Sequence, residues 1–566
     1  MYRLRVATGV IAAFALCSCS KPDTSAADLE KLTNDYTFGT LALSPSTATQ
    51  SGYHVHNGAK LDEMLDDYSP AALESSRKFV KDIEARVNAL ANAKLDKEQQ
   101  ADLDIIKNNL ALSLLELDTI QSYKHNPTIY VELIGNALFS EYVLEYAPKP
   151  DRMRHITKRI EQIPALLDQA KMHLVDAPEV WNRVAREEND GNVSLIDKTL
   201  RAAVPADQKA AYGAAATKAI AALKSFSGFL KNDLSKKTSD WRLGKEKYAQ
   251  KFKYVIATGK TPEQLLAEAE ADLKSTREAM AKLAAPQTVE QALADVAKQH
   301  VTPDKYMDKA RETLAQATAF VKEKDLVTLP PRGNLQVIET PEFMRGIYGV
   351  AGFNPAPPLQ PELGAFYWVT PIPKDWPKER VESKLREYND FGIQEITIHE
   401  AMPGHYVQLE IANDVQPTSR RLLRMLWGNG PYIEGYAFYT QQVMDEAGYL
   451  NGSKALRLSF YKQVLRALAN AILDIRLQTM GMTDQQALDL MMKDTYQEKE
   501  EATAKLQRAQ LSSSQLPMYY SGWKGWLEVR EHYKQRKGSA YSLKAFHDAA
   551  LKESAVPLPV LDKLLE

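Results

Sequence analysis

DKEQQADLDIIKNNLALSLLEL, residues 96–117, sets the class of fold. Leu103, Ile106, Leu110, Leu114 and Leu117 recur at three- and four-residue spacing, which gathers them on one face of a helix. Asp96 and Gln99 stand where a capping box would open that helix. The same punctuation recurs along the chain. Thr261-Pro262-Glu263-Gln264 and Thr302-Pro303-Asp304 each set a capping hydroxyl before a proline at the first helical position. Thr483 and Gln486 repeat the capping-box spacing ahead of Ala487, Leu488 and Leu490. Strand signals are few. The best is Phe366-Tyr367-Trp368-Val369-Thr370, between Gly364 and Pro371, after an irregular loop marked by Pro355, Pro357, Pro358 and Pro361. The expected fold is mostly α, a large helical body with a small β-sheet ahead of the segment 393–406. Leu329-Pro330-Pro331-Arg332-Gly333 interrupts the pattern and marks a candidate lobe boundary near residues 325–335.

The totals bound the function. A chain of 566 residues with 44% hydrophobic and 25% charged residues has the composition of a globular protein with a sizeable core. Lys+Arg 71 against Asp+Glu 73 gives no field of one sign, so nucleic acid is not an expected partner. At the N-terminus, Arg3 and Arg5 precede an apolar run from Val6 to Leu16, the length of a signal h-region and too short to span a bilayer. Leu16-Cys17-Ser18-Cys19 then resembles a bacterial lipobox. That resemblance implies a signal peptide over residues 1–18, lipid attachment through Cys19, and, with Ser20 following, an outer-membrane position facing the periplasm. After cleavage Cys19 is the one cysteine left, so neither a disulfide nor thiolate chemistry is expected in the mature body. Residues 19–50, rich in Ser, Thr, Ala and Asp, read as a tether, and 51–566 as the helical domain.

The chemistry is concentrated in Ile393-Gln394-Glu395-Ile396-Thr397-Ile398-His399-Glu400-Ala401-Met402-Pro403-Gly404-His405-Tyr406. A catalytic zinc site needs imidazoles converging on one ion and a carboxylate beside the water position. Two histidines four residues apart achieve this on one helix face. Here the separation is six, and at about 100° per residue a straight helix would turn the two side chains roughly 120° apart. Pro403 cannot donate a hydrogen bond to the carbonyl of His399, and Gly404 tolerates unusual geometry. A bulge absorbing two residues would bring His405 back beside His399, with Glu400 as general base. Ile433-Glu434-Gly435-Tyr436-Ala437-Phe438-Tyr439 offers Glu434 as the third metal ligand, with Asp445 and Glu446 as weaker alternatives. Glu395, one turn before His399, either orients a ligand imidazole or is an ordinary surface residue.

Taken together, His399-Glu400-Ala401-Met402-Pro403-Gly404-His405 with Gln408, Glu434 to Tyr439, Pro45-Ser46-Thr47-Ala48-Thr49 through Gly52-Tyr53-His54, and Gly364-Ala365-Phe366-Tyr367 resemble domain-of-unknown-function family 885. This bacterial family is similar in its core to gluzincin metallopeptidases such as carboxypeptidase Taq. The resemblance implies His399, His405 and Glu434 as zinc ligands and Glu400 as the base. It departs at Pro517-Met518-Tyr519-Tyr520-Ser521-Gly522-Trp523-Lys524-Gly525, where Trp523 occupies the place of a tyrosine before the lysine. A transition-state role for a phenol would then fall to Tyr519 or Tyr520, or be absent.

The expected activity is hydrolysis of peptide bonds by metal-activated water, with a peptide as substrate. The strand at Tyr367 and Trp368 is a candidate to pair with it in extended form. A zinc hydrolase of another amide or ester, and a non-catalytic peptide-binding lipoprotein, are the alternatives. His54-Val55-His56 has no nearby third ligand in sequence, which favours a structural role. Arg420, Arg421 and Arg424 read as a basic helix face or as a hold on a substrate carboxylate. Oligomeric state is not legible.

Overall fold

The computed structural model describes residues 25–341, 345 and 349–566. The signal-peptide and Cys19 assignments lie outside the described residues. Among the described residues, helices dominate and strands form two small sheets. Among these described residues, no helix is long and apolar enough to cross a membrane.

The helices that frame the site are α1 (Ser25–Leu43), α2 (Lys97–Leu114), α3 (Asp390–Glu400), α4 (His405–Ala412), α5 (Thr418–Leu426), α6 (Gly430–Glu446), α7 (Lys499–Leu511), α8 (Pro517–Lys537) and α9 (Leu543–Lys552). Helix α2 begins as expected. Asp96 accepts from Gln99 N at 2.8 Å, and Gln99 returns the bond to Asp96 N at 3.1 Å. Thr261 and Thr483 also cap with full boxes, whereas Thr302 precedes a 3₁₀ turn with no side-chain cap bond. The apolar face of α2 holds through Leu103, Ile106 and Leu110, then shifts. Residues Leu115–Ile120 form a π-helical turn, and its wider winding buries Leu115 and Ile120 where Leu114 and Leu117 were expected.

Residues 25–50 correct the expected tether. Helix α1 lays Leu29, Leu32 and Tyr36 into the main core, and the Tyr36 ring packs 5.4 Å from that of Trp427. Its hydroxyls hid this face from a compositional reading. Thr33 and Thr37 are buried, bonding back to the carbonyls of Leu29 and Thr33, each at 2.9 Å. A second short helix, Pro45–Gln50, is tied down by Thr49, which donates to Asp62 at 2.7 Å and accepts from the buried Arg159.

The largest core runs from Leu29 to Leu565 and includes Leu326 and Val327, beside the interruption at 329–333. A second core, within residues 65–234, and a third, within 248–520, flank it. The strands Val55–His56 (β1) and Ala59–Lys60 (β2) form a small hairpin. Its histidines are structural: His54 bonds Asp62 and Gln360, and His56 bonds Tyr53 and Asn57. The second sheet has the order β3 (Leu335–Glu339), β5 (Ala365–Val369), β4 (Ala351–Asn354), with β3 parallel and β4 antiparallel to β5. It lies under α3, and the buried Tyr367 hydroxyl meets Thr397 Oγ1 at 3.1 Å.

One ion cluster locks α2, α5 and α9 together. Arg424, 1% exposed, donates to Asp102 at 2.8 Å, to Glu98 at 2.6 Å and to the Glu553 carbonyl at 2.7 Å. Arg420 shares Asp102 at 2.6 Å. These arginines therefore serve the scaffold and not a substrate. Removing one partner strands a buried charge, which typically costs about 3–5 kcal/mol. Asp102→Ala should lower unfolding stability by at least about 3 kcal/mol in urea titration, more than a surface aspartate such as Asp118 changed to Ala.

Candidate metal centre

Helix α3 opens on Asn389, whose side chain accepts from Phe391 N and Gly392 N, and ends at Glu400. The two-residue bulge expected inside one helix is instead a complete break. Ala401 N and Met402 N both bond to Thr397 O at 3.0 Å, Gly404 N bonds to Ile398 O at 3.0 Å, and a new helix starts at His405. Gly404 makes the break possible. A Cβ there would lie 2.0 Å from His399 O and 2.4 Å from Ile398 O, so only glycine fits.

The break brings the two imidazoles together, with ring centroids 4.7 Å apart and planes at 85°. Each Nε2 lies 3.5 Å from Glu434 Oε2. All three ligand atoms fall within 4.8 Å of one another. Ligands held about 2.0–2.1 Å from a tetrahedral zinc are roughly 3.3 Å apart, so this donor set suits zinc in both chemistry and spacing. The side chains of His399, His405 and Glu434 keep 15%, 10% and 23% exposure, leaving an approach from solvent.

Electrostatics bind the three together. Burial opposes charge on Glu434, but the hydrogen bonds and positive charge of His399 and His405 hold its carboxyl well below the usual range. Burial likewise opposes protonation of His405, yet Glu434 and Glu400 raise it above the ordinary imidazole value. Glu400, half-buried at the end of α3, thus stands close enough for its charge to act on His405. Glu395 is buried and accepts from Gln441 Nε2 at 2.8 Å, bracing α3 against α6. Burial pushes its carboxyl well above the usual carboxylate range.

Glu434 reaches the histidines because α6 and α8 touch backbone to backbone. A Cβ on Gly435 would lie 2.3 Å from Gly522 C, and one on Gly522 would lie 2.1 Å from Pro431 O. This approach sets Tyr519 of α8 beside the centre, its ring 6.3 Å from that of His399. Its hydroxyl accepts from Arg508 at 3.1 Å and Gln515 at 3.4 Å. Burial and the charge of Glu434 push its phenol up, so it keeps a proton to donate.

Other expected residues fall elsewhere. Tyr520 turns away and donates to Asp272 at 2.8 Å, because consecutive helical residues point about 100° apart. Asp445 pairs with Arg457 and Glu446 with Arg530. Tyr367 and Trp368 are buried in the central strand of a three-stranded sheet, with partners on both edges, so no peptide can add there. Arg508, Gln515 and the Gly435–Gly522 contact had no distinct sequence signal, since each depends on which helices meet.

The model of a family described as "Bacterial protein of unknown function (DUF885)" matches residues 45–565. Among curated proteins none matches significantly. A solved structure described as a "putative lipoprotein of unknown function" from Shewanella oneidensis is 30% identical, with a TM-score of 0.79 over 95% of this chain and 99% of that one. A second, described as a "putative lipoprotein" from Colwellia psychrerythraea, is 17% identical and shares the fold, with a TM-score of 0.77 over 95% and 98% of the two chains.

Two measurements test this geometry. Gly404→Ala should remain helical by circular dichroism yet bind zinc at least about ten-fold more weakly, because the break must open to admit the methyl group. Metal uptake should release protons, since His405 must lose one to become a ligand. In the metal-free chain, the stabilisation from His405 is full below its ordinary value of 6.5 and fades as pH rises through its raised value. That from Glu434 is present above 4.5 and fades as pH falls through its lowered value. The pair therefore helps the metal-free fold most between about pH 4.5 and 6.5, and zinc affinity by calorimetry should climb from pH 6 to 8.

Proposed function

The chain belongs to the bacterial DUF885 family, and we propose that it is a zinc-dependent peptidase of the cell envelope. The observation that carries this reading is the convergence of both imidazole Nε2 atoms on one oxygen of Glu434, with Glu400 directly following His399. A purely structural metal site has no use for a carboxylate at that place.

His399, His405 and Glu434 would hold the ion. Zinc, when bound, supplies a Lewis acid that acidifies water and polarises a carbonyl. Glu400 accepts the proton of the attacking water and delivers it to the leaving amine, which keeps the proton count balanced across the cleavage. Tyr519 donates its O–H to the oxygen that gains negative charge, with Arg508 and Gln515 fixing the phenol in place. Neither solved relative is described by an activity, but both are described as lipoproteins. That description and the sequence around Cys19 support a lipid-anchored position, on the outer membrane and facing the periplasm.

The test is metal content and turnover of a mixed peptide library by the chain starting at Cys19, beside three variants. Glu400→Gln should keep about one zinc and lose at least about 10²-fold in kcat. Tyr519→Phe should lose about 10²–10³-fold in kcat, with Tyr520→Phe close to the unaltered protein. An unaltered chain that holds no zinc, or holds zinc and cleaves nothing, would overturn the reading.

A further inference from the structure

Helix α7 presents two cations one turn apart towards the metal centre. Arg508 touches the Tyr519 hydroxyl, and Lys505 lies three residues earlier, on the same helix face. Lys505 is 6% exposed. The carboxylates that could neutralise it are committed elsewhere. Glu501, one turn before it, is engaged by Arg466 and by the Tyr388 hydroxyl at 2.7 Å. Glu434 faces the two histidines. Among the described residues, Lys505 has neither an ion pair within 4 Å nor a hydrogen bond from its ammonium, whereas the buried Arg159 and Arg424 are both paired.

A buried, unpaired lysine costs free energy, so its retention beside the centre calls for a ligand of opposite charge. Burial and the neighbouring Arg466 and Arg508 push its ammonium well down, a penalty that an arriving anion relieves. Arg508 reaches the Tyr519 hydroxyl at 3.1 Å and the Tyr519 ring stands 6.3 Å from that of His399, so this face of α7 borders the ligand cluster, and the charge of Glu434 acts on both cations.

We propose that Lys505, with Arg508, receives a carboxylate of the substrate next to the scissile bond. The inference rests on the peptidase reading and gives it a substrate class. Peptides would be anchored through their C-terminal carboxylate, or through an acidic side chain at the same depth. Arg508 both steadies Tyr519 and adds the second positive charge, whereas Lys505 is free to bind.

Calorimetry on the zinc-loaded Glu400→Gln chain separates the sources without turnover. The probes are four tetrapeptides differing only in a C-terminal carboxylate or carboxamide, and in a Glu or Gln side chain. One carboxylate should bind at least about ten-fold more tightly than its amide twin. A C-terminal preference marks a carboxypeptidase, and a Glu preference marks acidic-residue specificity. Lys505→Met should erase the ratio and raise the unfolding midpoint, since it removes an unpaired buried charge; a merely structural lysine would do the reverse. Equal binding of each pair, no binding at all, or an unchanged ratio in Lys505→Met overturns the proposal. Turnover by the unaltered chain judges the peptidase reading separately, so active protein that ignores the carboxylate sinks only this inference.

Discussion

The backbone oxygens of Ile398 and His399 occupy the space a side chain at position 404 would need, and the site depends on that contact. It stops α3 at Glu400, restarts the chain as α4 at His405, and folds six residues of separation into a 4.7 Å approach of two rings. A continuous helix with the same histidines would splay them. Specificity for the break is built from sterics, because glycine alone can sit against two carbonyls at that distance.

The third ligand depends on a similar constraint at longer range. Gly435 and Gly522 allow α6 and α8 to meet at their backbones. Glu434 precedes one of these glycines and Tyr519 lies three residues before the other, so a single contact positions a ligand and a candidate proton donor. The surrounding elements restrain rather than decorate. Tyr367 supports α3 from the sheet through Thr397, Glu395 and Gln441 join α3 to α6, and the Arg424 cluster ties α5 to α2 and α9. Arg508 and Lys505 line the same side from α7, where one cation is engaged and the other is not.

Much of the fold was legible in local signals. Capping boxes at Asp96, Thr261 and Thr483 and the face of Leu103, Ile106 and Leu110 report backbone hydrogen bonding and burial within one or two turns. Reading failed where the local pattern did not reveal which face would be buried. The Thr-rich 25–43 segment resembled a tether because its buried hydroxyls bond to their own helix, leaving an apolar face that composition does not reveal. The π-helical turn after α2 moved burial from Leu114 to Leu115 by changing the number of residues per turn.

For the site, the sequence by itself determined the donor types, the helix-opening Pro403-Gly404 pair and the adjacency of Glu400 to His399, because these are properties of neighbouring residues, whereas the complete break in place of a bulge came from the structure. Only the tertiary structure decided that Glu434 joins them while Asp445 and Glu446 pair with arginines, and that Tyr519 faces His399 while Tyr520 faces Asp272. It also turned Arg420 and Arg424 into scaffold and left Lys505 unpaired. The physical reason is common to all of these. A charge or hydroxyl acts through its partner in space, and with helices crossing at glycine contacts that partner is set by packing between segments tens to hundreds of residues apart.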